Sequence, residues 1–450
     1  MRLDPAQRAA AEQVWNATAA LLESGAQGAG LVLVDELLRA VHSTRIAGLH
    51  RLSAAGVRAA QQVRDLHARR PEFRLASFGW DVFQLLSVSH ALRTASDDVD
   101  ARWIGEARRG YAEVGAIRLQ GLFTEAVAST SGYAGAVTYL VDEQATMWSL
   151  ADVAPGEVER CRFAYVTRFE LGEASLDHRT LCRGQLRLEH ARAAANRRLG
   201  GGRRVSAELS AGNPWHAPPL AVLWSTPLEA QLDRVWSTRG DDERRAGDDL
   251  LFIRATVLGS ARDALLLQAG RTVLHAVAPS AHAELPYRRN LQVLGTAAGV
   301  EVLAIARIVL SLPRTVQLLA VGGTSLMLPE EWCGRANLGL DVVRASYLTP
   351  THGAAVMAPR DREAVVDPLD ALERRLQQVL LGGRATLSAA AWSGCVLDES
   401  ALIAAQLPTA AELLRRLRGT SADGLAEAWL AARLYLAAAR AHLQRDAWLA

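Results

Sequence analysis

The chain has 450 residues, of which 50% are apolar and 22% charged, with a formal net charge of +2. That balance is ordinary for a soluble globular protein of about two to four domains; it excludes general disorder and a bulk electrostatic pull toward nucleic acid or acidic membranes. Every one of the 50 basic residues is arginine, which excludes the lysine of a Walker A loop, a kinase active site, a Schiff base or a Ser-x-x-Lys nucleophile.

No charge-free apolar run of about 18 residues marks a transmembrane helix. The opening MRLDPAQRAAAEQ lacks the apolar core of a secretory signal, so a cytoplasmic location is the default expectation. Cys161, Cys182, Cys333 and Cys395 lie far apart, which gives neither a zinc motif nor a disulfide framework. Four inert thiols are expected, and no cofactor or metal site.

Residues 5–95 read as helical. Asp4 and Pro5 form an N-terminal cap signal, and GAQGAG at 25–30 breaks the first helix from LVLVDELLRAV. Ile46, Leu49, Leu52, Val57, Val63 and Leu66 continue at helical spacing as one helix over 45–69, ended by Pro71. A further helix is expected around 78–93. Asp97, Asp98 and Asp100 then make an acidic, solvated linker.

From 113 to 170 the pattern predicts four consecutive β-strands. Ile117, Leu119 and Phe123 alternate with polar residues; Tyr133–Val141 and Thr146–Val153 follow, separated by Asp142-Glu143-Gln144. In the fourth, Cys161, Phe163, Tyr165 and Phe169 alternate with Arg160, Arg162 and Arg168, a face that either meets phosphate or is the wet side of the sheet. LAVLWSTPLEAQLDRV reads as a helix with Leu220, Leu223, Leu228 and Leu232 on one side. RGDDERRAGDD at 239–249 is a charged boundary. Six strand-like segments follow between 250 and 328, the last being TSLMLP. From 366 the pattern is helical again, with Gly382-Gly383 as a C-cap signal and a last helix over about 424–446.

The expected architecture is α+β: an N-terminal helical domain (1–105), a first β-rich domain with a helical insertion (106–240), a second β-rich region (241–350) and a C-terminal helical domain (351–450). The β regions read as antiparallel meanders or small barrels.

The strongest chemical candidate is Arg192, Arg197, Arg198, Arg203 and Arg204 around Gly200-Gly201-Gly202. Glycine-rich backbone beside arginines either cradles a phosphate or is a flexible loop with solvated charges. Asp177-His178 and Glu189-His190 are the pairs most like an acid/base couple, yet sequence neighbours on one element face different ways. Trp148, Trp215, Trp224 and Trp236 are either base-stacking or core aromatics.

Several phrases, LFTEAVASTSGYAGAVTYLVDEQATMWSLADVAPG, FELGEASLDHRTL, ARAAANRRLGGGRRV and LAVLWSTPLEAQLDRV, resemble the body of actinobacterial-type SWIM zinc-finger family proteins. DDLLFIRATVLGSARDALLL, LPYRRNLQVL and the terminal LAEAWLAARLYLAAARAHL are similar too. The finger itself, C-x-C followed by C-x-H, has no counterpart here, so no zinc ligands carry over. The resemblance implies a non-enzymatic adaptor or scaffold working with a MoxR-type AAA+ ATPase and a von Willebrand factor A protein in a bacterial conflict system, with Arg160, Arg162 and Arg168 as a docking face. The alternatives are a nucleic-acid-binding protein using a basic barrel face, and a hydrolase built on His178 or His190.

Overall fold

A computed structural model describes residues 2–95, 98–105, 110–129, 132–202, 204–238, 244–348, 367–388 and 394–449. The first helix, α1 (Pro5–Ser24), starts on a capping box: Asp4 Oδ1 accepts from Ala6 N (2.8 Å) and Gln7 Oε1 accepts from Asp4 N (3.1 Å). It is followed by α2 (Leu31–Ile46), α3 (His50–His67) and α4 (Leu75–Thr94). The single helix expected over 45–69 is two, because Gly48 takes φ +74° and the chain turns there.

Three strands follow, β1 (Ala112–Ala128), β2 (Tyr133–Val141) and β3 (Met147–Pro155). The fourth expected strand is a helix, α5 (Glu159–Val166), with Cys161, Ala164 and Tyr165 on its buried side. That spacing satisfies a helical period as well as the alternation does, and burial decides between them. Next come β4 (Phe169–Leu171), β5 (Ala174–Leu176), α6 (His178–Leu181), β6 (Gly184–Ala193), β7 (Leu199–Gly200) and β8 (Ser206–Ala211). The helix expected across LAVLWSTPLEAQLDRV is interrupted: a 3-10 turn over Leu220–Ser225 precedes α7 (Leu228–Ser237), with Pro227 between them.

The second β stretch holds β9 (Leu250–Ala261), β10 (Ala264–Ala269), β11 (Thr272–Val277), α8 (Tyr287–Gly295), β12 (Glu301–Ile308), β13 (Thr315–Gly322) and β14 (Arg335–Asn337). TSLMLP is not a strand; it makes one isolated bridge, Leu326 to Leu348. The chain ends in α9 (Asp370–Gly382), α10 (Cys395–Ala404), α11 (Pro408–Gly419) and α12 (Leu425–Leu449).

Contact density divides these elements into two units. One joins 1–108 with 362–443; its core includes Trp15, Leu22, Leu52 and Phe78 from the N-terminal helices and Leu376, Leu414 and Trp429 from the C-terminal ones. The other joins 109–361 with 444–450, where Trp448 packs edge-on to Trp236.

In the barrel unit, β9 pairs with β10 and β12, β10 with β11, and β12 with β13, all antiparallel; β11 then pairs in parallel with β13 and closes a five-stranded barrel. The first sheet repeats this order. β1 pairs with β2 and β6, β2 with β3, and β6 with β7, and the parallel bridge Ser149–Arg198 joins β3 to the start of β7. In each, a helix (α5 or α8) lies between the third and fourth strands; the first adds the β4–β5 hairpin and α6 there, and its β8 continues along β6 after β7. A meander of three strands, a helix, then two strands of which the last runs parallel to the third is the Greek-key plan of the OB-fold.

The inward residues differ in sequence but not in role. Leu119, Leu140, Leu150, Leu186 and Leu188 fill the first barrel, while Leu251, Ile253, Leu265, Leu274 and Leu318 fill the second. The outer sides of β1–β2 and of β9–β12–β13 share a third core containing Phe123, Val141, Trp215, Trp224, Phe252 and Ile305. Each large side chain buried there contributes roughly 1.5–3 kcal/mol.

Candidate functional site

Between the barrels lies a buried polar seam. Arg183 Nη2 donates to Asp341 Oδ2 at 2.7 Å, with side chains only 5% and 4% exposed. The Tyr165 hydroxyl donates to Asp341 Oδ1 (2.9 Å) and accepts from Arg183 Nη1 and Asn337 Nδ2 (2.9 Å each). Asn337 Oδ1 accepts from the Thr124 amide of β1 at 2.9 Å. Burial opposes the Arg183 charge, but Cys182, Tyr165 and Asp341 outweigh it and move its pKa upward. Arg335, fully buried, donates instead to the carbonyls of Gly121, Cys182 and Asn213. With no carboxylate beside it, burial pulls its pKa down to about 10. A third tie is bidentate: Arg307 Nη1 and Nη2 donate to Glu125 at 2.6 and 2.9 Å, and its Nε donates to Asp249.

The two acid/base-like pairs do not assemble. Asp177 caps α6, its Oδ1 accepting from Thr180 N at 2.7 Å. His178 points the other way, fully buried, with Nδ1 on the Thr138 hydroxyl (2.7 Å) and its ring against Phe169. Burial pushes its pKa down to about 4. Glu189 meets Arg187, and the exposed His190 meets Glu113 at 3.1 Å. Trp215 and Trp224 pack ring to ring at 4.9 Å inside the shared core and donate to the carbonyls of Leu122 and Ala304. Trp148 is half-buried and donates to Asp142, and Trp236 is half-buried against Trp448. All four cysteines are free; Cys161, Cys182 and Cys395 are buried and Cys333 is half-buried.

The expected arginine cluster is spread along the β6–β7–β8 edge. Arg192 on β6 donates to the Tyr111 carbonyl (2.7 Å), and Arg204 is exposed. Arg203 lies outside the described residues. Arg197 and Arg198 form the β6–β7 turn. The Ser149 amide donates to the Arg197 carbonyl at 3.0 Å. The Ala246 amide donates to the Asn196 carbonyl at 3.0 Å, which sets exposed Arg244 and Arg245 beside that turn. Of the other trio, Arg160 is held by Asp152 at 2.6 Å, whereas Arg162 and Arg168 are exposed. They share no strand face, because Arg160 and Arg162 belong to α5 and Arg168 follows it.

One feature escaped the sequence reading. Helix α10 buries Cys395, Glu399 and Leu402 against its own unit, yet its opposite side is apolar too. Val396, Leu397 and Ile403 are 60%, 74% and 51% exposed, with Ser400, Ala401 and Ala404 between them. Its two carboxylates, Asp398 and Glu399, pair with arginines of α9 and α11, so the outward stripe carries no charge. The signal was present as CVLDESALIAA, but only the packing shows which side is left over.

Among the described residues no group of three or more His, Cys, Asp or Glu side chains is placed to hold a metal ion, and no helix is long and apolar enough to cross a membrane. Comparison of the chain with protein-family models, with curated proteins and with solved structures returns no match.

Proposed function

We propose that this chain is a non-enzymatic adaptor, a scaffold subunit on which a MoxR-type AAA+ ATPase and a von Willebrand factor A protein assemble in a bacterial conflict system. The observation that carries the adaptor reading is the outward face of α10, where Val396, Leu397 and Ile403 stand open to solvent on a helix already anchored by its other side. Contiguous exposed apolar surface marks a protein-binding site, and a one-helix stripe suits a partner's groove or helix. The class of partner comes from the resemblance of the sequence. The shielding of His178 and the separation of Asp177 from it favour binding over acid/base chemistry.

The test is reconstitution. The purified full chain is mixed with the MoxR-type ATPase and the von Willebrand A protein of its own genome, and complexes are read by size-exclusion chromatography with light scattering. A complex is expected, and Leu397→Asp with Ile403→Asp abolishes it while leaving the melting temperature within about 2 °C, as surface substitutions do. No complex at about 10 µM of each protein, a concentration that captures micromolar affinities, rules the reading out.

A further inference from the structure

The two barrels place an arginine at the same point of the same plan. In the first, Arg197 ends the turn between the fourth and fifth strands with φ +62°, and its carbonyl accepts from the Ser149 amide at the start of the third strand (3.0 Å). In the second, Arg314 ends the equivalent loop with φ +49°, and its carbonyl accepts from the His275 amide of the third strand (2.8 Å). The loop between the first and second strands of the second barrel carries Arg262, also left-handed at φ +52°. Glycine or asparagine occupies such positions at least steric cost. Three of the four loops of this kind are fully described, and each carries an arginine there.

In the OB plan these loops flank the ligand face, which is the outer side of the second and third strands. Those sides are covered in part, β2 by the shared core at Tyr139 and Val141 and β10 at the buried Leu266, and are more open beyond that. Val137, Ala151 and Val153 in the first barrel, and Gln268, Val273 and His275 in the second, are half-buried. Arg197, Arg245 and Arg314 make no ion pair among the described residues, whereas Arg244 reaches Asp249 at 3.6 Å. On the side of β2 that carries Val137, Tyr139 is stacked on Phe123 in the shared core and Tyr133 stands open at the strand's start. The second face carries no such ring among Gln268, Val273 and His275, so the chemistry the two faces have in common is guanidinium to phosphate rather than base stacking.

We propose that the tandem barrels bind single-stranded nucleic acid through its phosphates, with Arg197 and Arg314 as equivalent backbone contacts. Binding of this kind tracks the strand, ignores base identity and weakens steeply with salt. It is independent of the α10 face and of the adaptor reading.

The experiment is fluorescence anisotropy of the full chain with labelled oligo(dT) of about 32 nucleotides, long enough for two barrels at roughly 4–16 nucleotides each. Arg197→Asn and Arg314→Asn keep the left-handed turn while removing the cation. Each is expected to weaken binding roughly 3- to 10-fold at low salt and to lower the slope of log K against log salt by about 0.7. Arg39→Asn, an exposed arginine on α2 of the other unit, is the charge-matched control and leaves both unchanged. A mixed-sequence strand binds as oligo(dT) does. The proposal is overturned by no binding at low salt, by affinity and slope that survive both Asn substitutions, by equal affinity for the duplex, or by polyglutamate binding as tightly with the same arginine dependence.

Discussion

Asp341 is the acceptor on which the inter-barrel seam converges. It takes hydrogen bonds from Arg183 Nη2 at 2.7 Å, from the Tyr165 hydroxyl at 2.9 Å and from the Asn337 amide at 2.8 Å. Asp341→Ala leaves a guanidinium that is 5% exposed without its counter-charge, and strands two neutral donors besides. Breaking a buried pair from one side costs about 3–5 kcal/mol, most of it the penalty of the orphaned charge. The neutral donors, the Tyr165 hydroxyl and the Asn337 backbone N–H, do not add independently to this, because they share one acceptor and one network with Arg183. With two units in the chain, a single unfolding midpoint is a poor measure. Amide hydrogen exchange at Thr124, whose N–H is held by Asn337 Oδ1, reads the seam directly. Exchange there is expected to accelerate about a hundred- to several-thousand-fold in Asp341→Ala. Replacing both partners, as Arg183→Met with Asp341→Leu, removes the charge as well as its partner and recovers at least half of the loss. Acceleration under about fivefold in Asp341→Ala, or a double variant worse than either single one, would refute the view that an ion pair locks the barrels together.

His178 makes the barrel unit acid-sensitive. Burial holds its pKa near 4 in the folded chain, against about 6.5 unfolded, so stability is intact above 6.5 and falls by up to about 3 kcal/mol as pH drops through 4; His178→Asn flattens that slope, and an unchanged pH profile counts against this assignment. Gly25 (φ +73°) and Gly383 (φ +62°) lie backbone to backbone, with Ala26 and Gln27 donating to the carbonyls of Leu380 and Leu381 at 3.0 and 2.9 Å. A methyl at Gly383 meets the Glu23 carbonyl, so Gly383→Ala destabilises the helical unit by about 2–4 kcal/mol through strain and lost contact; amide hydrogen exchange in α1 and α9 checks this, and acceleration under about fivefold contradicts it. Arg335→Met strips the donors from three buried carbonyls and costs about 3 kcal/mol, read as faster exchange in β1 and β14.

How much of this was legible in the sequence depends on distance along the chain. The N-cap at Asp4, the breaks at Gly25 and Gly383 and the Val/Leu/Ile-rich segments of β9 to β13 are local signals, and the structure has each where the letters put it. The reading failed at Glu159–Val166, where eight residues satisfy a period of two and a period of 3.6 at once. It failed again at Gly48, where one left-handed residue splits a helical run. It could not reach the seam. Thr124 and Asn337 are 213 positions apart, and Arg183 and Asp341 are 158 apart, so no window of sequence contains both partners. Gly25 and Gly383 illustrate the same limit: each reads correctly as punctuation, but their contact joins the two ends of the chain.

The duplication of the barrel is the sharpest case. The two β stretches share no residue-level repeat, because the plan asks only for apolar alternation, loops of suitable length and a helix before the fourth strand. Leucine, valine, isoleucine and alanine meet those demands in many orders, so the two sequences can differ while the strand order is the same. What the plan does fix is hydrogen bonding where the fifth strand meets the third, and there the equivalence is visible: Ser149 to Arg197 in one barrel, His275 to Arg314 in the other. Arg197 belongs to an arginine cluster that stands out in the sequence; Arg314, in LPRTV, carries no such signal. Arg69 in the helical unit is left-handed too (φ +53°), so the conformation alone marks no site; what sets Arg197 and Arg314 apart is that both also accept from the third strand at the same point of the plan. Repetition of that choice in equivalent loops of the two barrels is the argument for a shared role, and it can be made only once the strands are paired.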